Sequence, residues 1–182
     1  MKILYLLSIY FYRLIIRILS PFHSKAALWI HGRKSWRGRL EKIPFSEHRI
    51  LFHCASLGEF EQGRTVLEAF RQRHPDKKIL LTFFSPSGYE IRKNTPLADH
   101  VFYLPLDTPR NARRFLDLTN PCAAVFIKYE FWYFYLTTLK KRGIPTYLVS
   151  ARFRPEQLFF KKYGAPFRRM LACFTHIFVQ DE

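Results

Sequence analysis

From Arg49 onward the chain alternates short apolar runs with stretches of helical spacing. Apolar runs bounded by turn residues read as buried strands, here at 50–55, 78–84, 101–104, 123–128, 146–150 and 176–179. Between them, helical periodicity predicts helices near 59–73, 87–93, 109–116, 131–142 and 157–173. In the first, Val66, Leu67 and Phe70 should face inward. The punctuation agrees. Thr108-Pro109 reads as an N-cap followed by its N1 proline. Gly143 closes a helix ahead of Ile144-Pro145, and Ser85-Pro86-Ser87-Gly88 turns into one. Strands alternating with helices imply βαβ units, and right-handed crossovers then cover both faces of the sheet. The predicted fold class is α/β: a Rossmann-like, mainly parallel sheet with helices on both faces, occupying 48–182.

Two segments precede it. Residues 1–22 are apolar and aromatic, with Lys2 at the start and no small-residue cleavage site, so a removed signal peptide is not expected. A spanning helix wants about 20 apolar residues with few charges, whereas Arg13 and Arg17 lie four apart on one helical face. A membrane-associated helix lying in the interface, with Tyr5, Tyr10 and Tyr12 at headgroup level, is favoured over a spanning one. Packing on a protein surface stays open. Residues 23–47 form a basic connector in which Lys25, Arg33, Lys34, Arg37, Arg39 and Lys42 interleave with Trp29 and Trp36. It reads as a collar for an anionic leaflet, against a solvated linker or a nucleic-acid patch.

Composition sharpens the choice of partner. The chain has 30 Lys+Arg against 14 Asp+Glu, a net charge of +16, which argues for a polyanion: anionic lipid, a phosphorylated substrate or nucleic acid. Hydrophobic content of 48% in 182 residues supports one α/β core plus a short extra element. Cys54, Cys122 and Cys173 are distant and odd in number, without metal-ligand spacing; Cys54 and Cys122 read as small buried hydrophobes in a reducing compartment. No metal site is expected, and phosphate-loop, dinucleotide, zinc-protease and nucleophile-elbow motifs are absent.

Candidate chemistry gathers where strands end. In a parallel sheet those ends share one rim, where ligands collect. Glu59 follows the first strand in the turn Ser56-Leu57-Gly58, on the first turn of its helix. Backbone N–H groups and the helix dipole favour its ionised form, suited to take a proton from an attacking alcohol. The plain alternative is a carboxylate that only caps its helix. Ser56, Gly58, Ser85, Ser87 and Gly88 offer hydroxyls and backbone N–H groups to an anion; Lys128, Tyr129 and Glu130 follow the fourth strand, Ser150, Arg152 and Arg154 the fifth. Glu130 either pairs with Lys128 or Arg152 or is a second functional acid. His53, inside the first strand, reads as a satisfied core histidine.

Six short motifs in order resemble the Kdo (3-deoxy-D-manno-octulosonic acid) transferases. Residues 51–59, LFHCASLGE, resemble the His-Ala-x-Ser-Val-Gly-Glu signature; 82–90, TFFSPSGYE, the threonine-rich turn; 104–107, LPLD, the Leu-Pro-x-Asp element. Residues 129–132, 142–145 with 150–152, and 180–182 match the further elements. The resemblance implies the N-terminal, acceptor-binding half of a GT-B glycosyltransferase, with the donor-binding half absent from this chain. It implies transfer of Kdo from CMP-Kdo to a phosphorylated lipid A precursor with inversion, in lipopolysaccharide biosynthesis. No cofactor is implied, and the place implied is the cytoplasmic side of the inner membrane. Glu59 would be the general base. Phe83 and Phe84 stand where the family has threonines, Tyr133 stands for a proline and Ser150 for an asparagine. Lys128 stands where the family has an uncharged residue or an acid. The alternative reading is a non-catalytic lipid-binding module of the same fold.

Overall fold

A computed structural model describes residues 2–44, 49–128 and 130–180; Met1, the connector end at 45–48, Tyr129 and the tail of the last motif, Asp181 and Glu182, lie outside the described residues. The chain runs α1 (Lys2–Leu19), α2 (Ser24–Gly32), α3 (Trp36–Leu40), β1 (Arg49–Cys54), α4 (Leu57–Arg73), β2 (Lys78–Phe83), α5 (Pro86–Arg92), β3 (His100–Tyr103) and α6 (Pro109–Thr119). It continues through β4 (Pro121–Ile127), α7 (Tyr133–Lys141), β5 (Thr146–Ala151), a 3-10 turn (Leu158–Phe160), α8 (Ala165–Leu171) and β6 (His176–Val179).

The strands form one sheet in the order β3-β2-β1-β4-β5-β6, every pair parallel. Side chains alternate across it. Ile50, Phe52 and Cys54 of β1 join Ile79, Leu81 and Phe83 of β2 under Phe60 and Leu67 of α4. Leu51 and Leu80 face the other layer, with Phe115 and Leu116 of α6, Leu136 and Leu139 of α7, and Met170 of α8. Two apolar layers on opposite faces are the doubly wound arrangement the sequence pattern predicts. Close approach of α5 to the sheet depends on Gly88: a Cβ there would stand 2.3 Å from the Phe83 ring.

Three details differ from expectation. Val66 lies at the solvent edge of α4, 36% exposed, while Leu67 and Phe70 turn inward, Phe70 against Phe52. The helix expected over 157–173 is broken, because Pro166 lacks the N–H an uninterrupted helix needs there and its ring would strike the carbonyl four residues back. Arg168 donates to the carbonyls of Phe159 and Lys161 across the break. Cys122 is exposed rather than buried.

The N-terminal segments are packed. α1 turns Tyr5, Ile9, Tyr12 and Ile16 toward the domain. Tyr5 lies against Tyr133 and Phe134 and donates to Asp107 at 2.6 Å, and Tyr12 meets Trp29 and Phe84. Of the three tyrosines assigned to headgroups, Tyr5 is docked on the domain, Tyr12 packs on it while staying 39% exposed, and Tyr10 is 48% exposed. The opposite face of α1 leaves Ile3, Leu4, Leu7, Phe11, Leu14 and Ile18 exposed. Among the described residues no helix is long and apolar enough to cross a membrane. The connector is helical over 24–32 and 36–40, and its Trp29 and Trp36 are buried, so they pack the core instead of offering stacking faces.

Candidate active site

The strand order reverses between β1 and β4: from β1 the chain crosses outward to β2, and from β3 it returns to β4 on the other side. In such sheets the ligand crevice opens outside the carboxyl ends of the two strands at that reversal. The turn after β1 carries Ser56, Gly58 and Glu59. The turn after β4 carries Lys128 and Glu130. The sequence thus places two carboxylates and a lysine on either side of the crevice.

Glu59 occupies the third position of α4. The Ser56 backbone N–H donates to its Oε2 at 2.7 Å and the Ser56 hydroxyl to the same oxygen at 3.0 Å. This is the capping arrangement of a helix start. Both bonds end on one oxygen, so capping leaves Oε1 to other partners. The carboxylate is half-buried and stands at the rim rather than in the core. Burial, followed by the negative charges of Glu59 and Glu130, pushes the adjacent Cys54 thiol well above its usual range, so both acids act on one buried point. Gly58 is open; a Cβ would meet only Ser56 Oγ at 4.0 Å.

The β2 turn is tied to the β1 turn by the Ser85 N–H, which donates to Ala55 O at 2.7 Å. Ser85 Oγ accepts the Ser87 N–H at 3.3 Å and lies 3.0 Å from Ser87 Oγ. The Gly88 N–H is spent on Ser85 O. The sequence offers these N–H groups to an anion; in the structure those of Ser87 and Gly88 close the turn, and the two partly exposed serine hydroxyls pair with each other. Arg152 is exposed beyond the end of β5.

Glu130 is 7% exposed, and among the described residues its partners are His53 and Trp132 rather than the expected Lys128 or Arg152. His53 is fully buried, with Nδ1 2.9 Å from Thr82 Oγ1 and Nε2 3.1 Å from Glu130 Oε2. Trp132 Nε1 donates to Glu130 Oε2 at 2.5 Å and lies 3.0 Å from His53 Nε2. Thr82 Oγ1 donates to Phe52 O at 3.2 Å, so it receives Nδ1–H from His53. The Trp132 indole N–H lies within reach of both His53 Nε2 and Glu130 Oε2 and ties the three side chains together. The network joins β2, β1 and the β4 turn directly beneath the crevice. Among the described residues no group of three or more His, Cys, Asp or Glu is placed to hold a metal ion.

Residues 34–182 match the family described as 3-deoxy-D-manno-octulosonic-acid transferase (kdotransferase). The chain belongs to that family. It is similar to the 3-deoxy-D-manno-octulosonic acid transferase of Aquifex aeolicus, 33% identical over 112 residues, which cover 61% of this chain and 30% of the relative. The corresponding enzyme of Haemophilus influenzae is 34% identical over 57% of this chain and 24% of the relative, and that of Rickettsia felis 31% identical over 80% and 32%. The chain thus spans about a quarter to a third of the length of these relatives.

The matched span begins at Lys34, so the motifs of β1 to β6 fall inside it and α1 outside. Two features escaped the sequence. Lys128 and Ser150, at the ends of β4 and β5, adopt left-handed backbone with φ of 69° and 58°. Non-glycine residues there carry strain of about 1 kcal/mol each, a cost concentrated at functional turns. Asp107 of the Leu-Pro-x-Asp element is fully buried and accepts the backbone N–H groups of Phe134 and Tyr135 at 3.0 Å, capping α7 from another part of the chain. Burial pushes its carboxyl up to about 6, against the pull of Tyr5 and those two N–H groups. The signal available in the sequence was an acid directly before a helix-starting Thr-Pro, which local reasoning assigns to the wrong helix.

Proposed function

We propose that this chain is the acceptor-binding half of a Kdo transferase, moving Kdo from CMP-Kdo to a phosphorylated lipid A precursor, with Glu59 as general base. The observation that carries the reading is the place of Glu59: at the switch point of a parallel sheet, at the rim, held by Ser56 through one oxygen only. In this mechanism Oε1 accepts the proton of the acceptor hydroxyl as that oxygen attacks the anomeric carbon. The bond from that carbon to the CMP phosphate breaks on the opposite side, CMP leaves, and the configuration inverts. No metal or cofactor takes part. CMP-Kdo is held by a second half beyond this chain. Ser56, Ser85, Ser87, Lys128 and Arg152 surround the acceptor's polar groups, and the His53–Glu130 pair supports the floor.

The same reading places the protein at the cytoplasmic face of the inner membrane. Support comes from the exposed apolar face of α1 beside a chain of net charge +16, which suits a helix lying in an anionic interface. Glu59→Gln in the complete transferase is the test. The expected result is loss of transfer by a factor of about 100 or more with retained binding of the acceptor; near-wild-type turnover excludes Glu59 as the base. The exposed face of α1 also favours a second reading, a lipid-binding module without catalysis. That reading gains if Glu59→Gln leaves every measurable property unchanged.

A further inference from the structure

Between α1, the α2–α3 corner and the loop after β3 lies a cleft of about 620 Å³. Five cations line it: Arg13 and Arg17 from α1, and Arg33, Lys34 and Arg37 from the corner; no carboxylate does among the described residues. Five like charges around one space repel one another unless something negative enters.

Two further observations point to an occupant. Trp29 Nε1 and Arg37 Nε, both on lining side chains, are buried donors without a hydrogen-bond partner among the described residues, and Trp29 is only 4% exposed. Buried N–H groups are nearly always satisfied, and two orphan donors on side chains that line one cavity mark a place short of acceptors. Arg33, in turn, is held among the described residues by neutral groups alone. It donates to the carbonyls of Leu104, Trp29 and Phe84, and lies over the Trp29 ring at 4.0 Å. Burial lowers its guanidinium to about 9. The fold thus keeps a cation here without giving it a counter-ion among the described residues.

We propose that this cleft is a phosphate site holding the headgroup phosphate of a membrane lipid, separate from the acceptor crevice. The separation is physical: Trp29 packs edge-on to Phe84 at 5.7 Å and Phe84 tilts onto Trp132 at 4.6 Å, so an aromatic wall stands between the cleft and the His53–Glu130 network. The lipid source follows from α1 and rests on the membrane reading above. Spaced by 100° per residue, Arg13 and Arg17 fall on the flank between the docked stripe of Tyr5, Ile9 and Ile16 and the exposed stripe of Leu7, Phe11 and Leu14. A phosphate between those arginines leaves its acyl chains beside the apolar stripe. Arginine pairs suit phosphate because the guanidinium fork matches its oxygens.

Tryptophan emission separates a built site from diffuse attraction, since Trp29 and Trp36 both line the cleft. Inorganic phosphate titrated into the 182-residue chain, against chloride at equal ionic strength, should give a saturable change that chloride does not. Sedimentation with phosphatidylcholine vesicles containing phosphatidic acid should be competed by inorganic phosphate. Arg13→Gln with Arg17→Gln, both exposed in the wild type, should weaken each signal about tenfold or more, whereas Lys141→Gln with Arg169→Gln, on distant helices, should leave the phosphate signal intact. Equal losses in the two double variants, or no phosphate-specific emission change, overturn the site. Phosphate binding that depends on Arg13 and Arg17 without any vesicle association keeps the phosphate site but overturns its lipid source and the membrane reading with it.

Discussion

The carboxylate of Glu59 receives two hydrogen bonds from one residue, Ser56, at 2.7 and 3.0 Å, and both reach the same oxygen. The acid is therefore oriented by its own helix start, with no partner from elsewhere in the fold needed to aim Oε1. Ser56→Ala keeps the backbone bond and removes the hydroxyl one. Loss of a cap residue costs about 1 kcal/mol of stability. In the complete transferase, kcat should fall several-fold while KM for the acceptor changes little. An unchanged kcat would show that the hydroxyl does not orient the base.

His53 and Glu130 form a buried pair, and removing one member strands the other. Glu130→Gln or His53→Ala should each cost about 3 kcal/mol in urea unfolding, because the remaining group loses its partner inside the fold. Changing both should cost less than the two single losses added together. Strict additivity would mean the two side chains do not interact in the folded state.

Two carboxylates make opposite contributions to stability as pH changes. Burial raises Asp107 from 3.8 to about 6, so the folded state binds its proton more tightly than the unfolded chain does. Its contribution is best below pH 4 and declines by on the order of 3 kcal/mol as pH rises through 4 to 6. Asp99 is pulled the other way. Partial burial pushes it up, but the Ile79 N–H, Arg71 and Lys78 together bring it down to about 2. Its contribution is present above pH 4 and is lost as pH falls toward 2, by about 1 kcal/mol once solvent screening is allowed for. Asp107→Asn should flatten the wild-type trend between pH 4 and 6, and Asp99→Asn the one between pH 4 and 2, read by thermal melts across pH. An Asp107→Asn chain that keeps the full pH 4–6 slope would assign that slope to another group.

Gly88 offers a clean contrast between packing and ligand binding. Gly88→Ala forces a Cβ against the Phe83 ring, which has little room to retreat in a fully buried position. A loss of about 2 kcal/mol in stability is expected, with anion binding changed only as far as folding is. A stable Gly88→Ala chain that fails to bind would restore a ligand role for this turn.

Periodicity announced the sheet because each strand has its own apolar run and each crossover its own punctuation at Thr108-Pro109, Gly143 and Ser85-Pro86. The candidate base was legible for the same local reason: Glu59 stands three residues after Ser56 at the end of the first strand. The break at Pro166 was also within reach, since proline acts through its own chain. By contrast, Glu130 looked toward Lys128 and Arg152 because they are close in sequence or register, while its partners come from β1 and from a tryptophan whose indole folds back.

The order and type of elements, the shared rim and the acid at it are properties of local sequence, since a strand, a turn and a cap are each specified by a few neighbouring residues. The strand order, the His53–Thr82–Glu130–Trp132 network, the Asp107 cap on α7 and the basic cleft between α1 and the α2–α3 corner were decided only by tertiary structure. Each joins residues far apart in the chain, and a contact of that kind exists only once packing has brought two surfaces together and excluded the water between them.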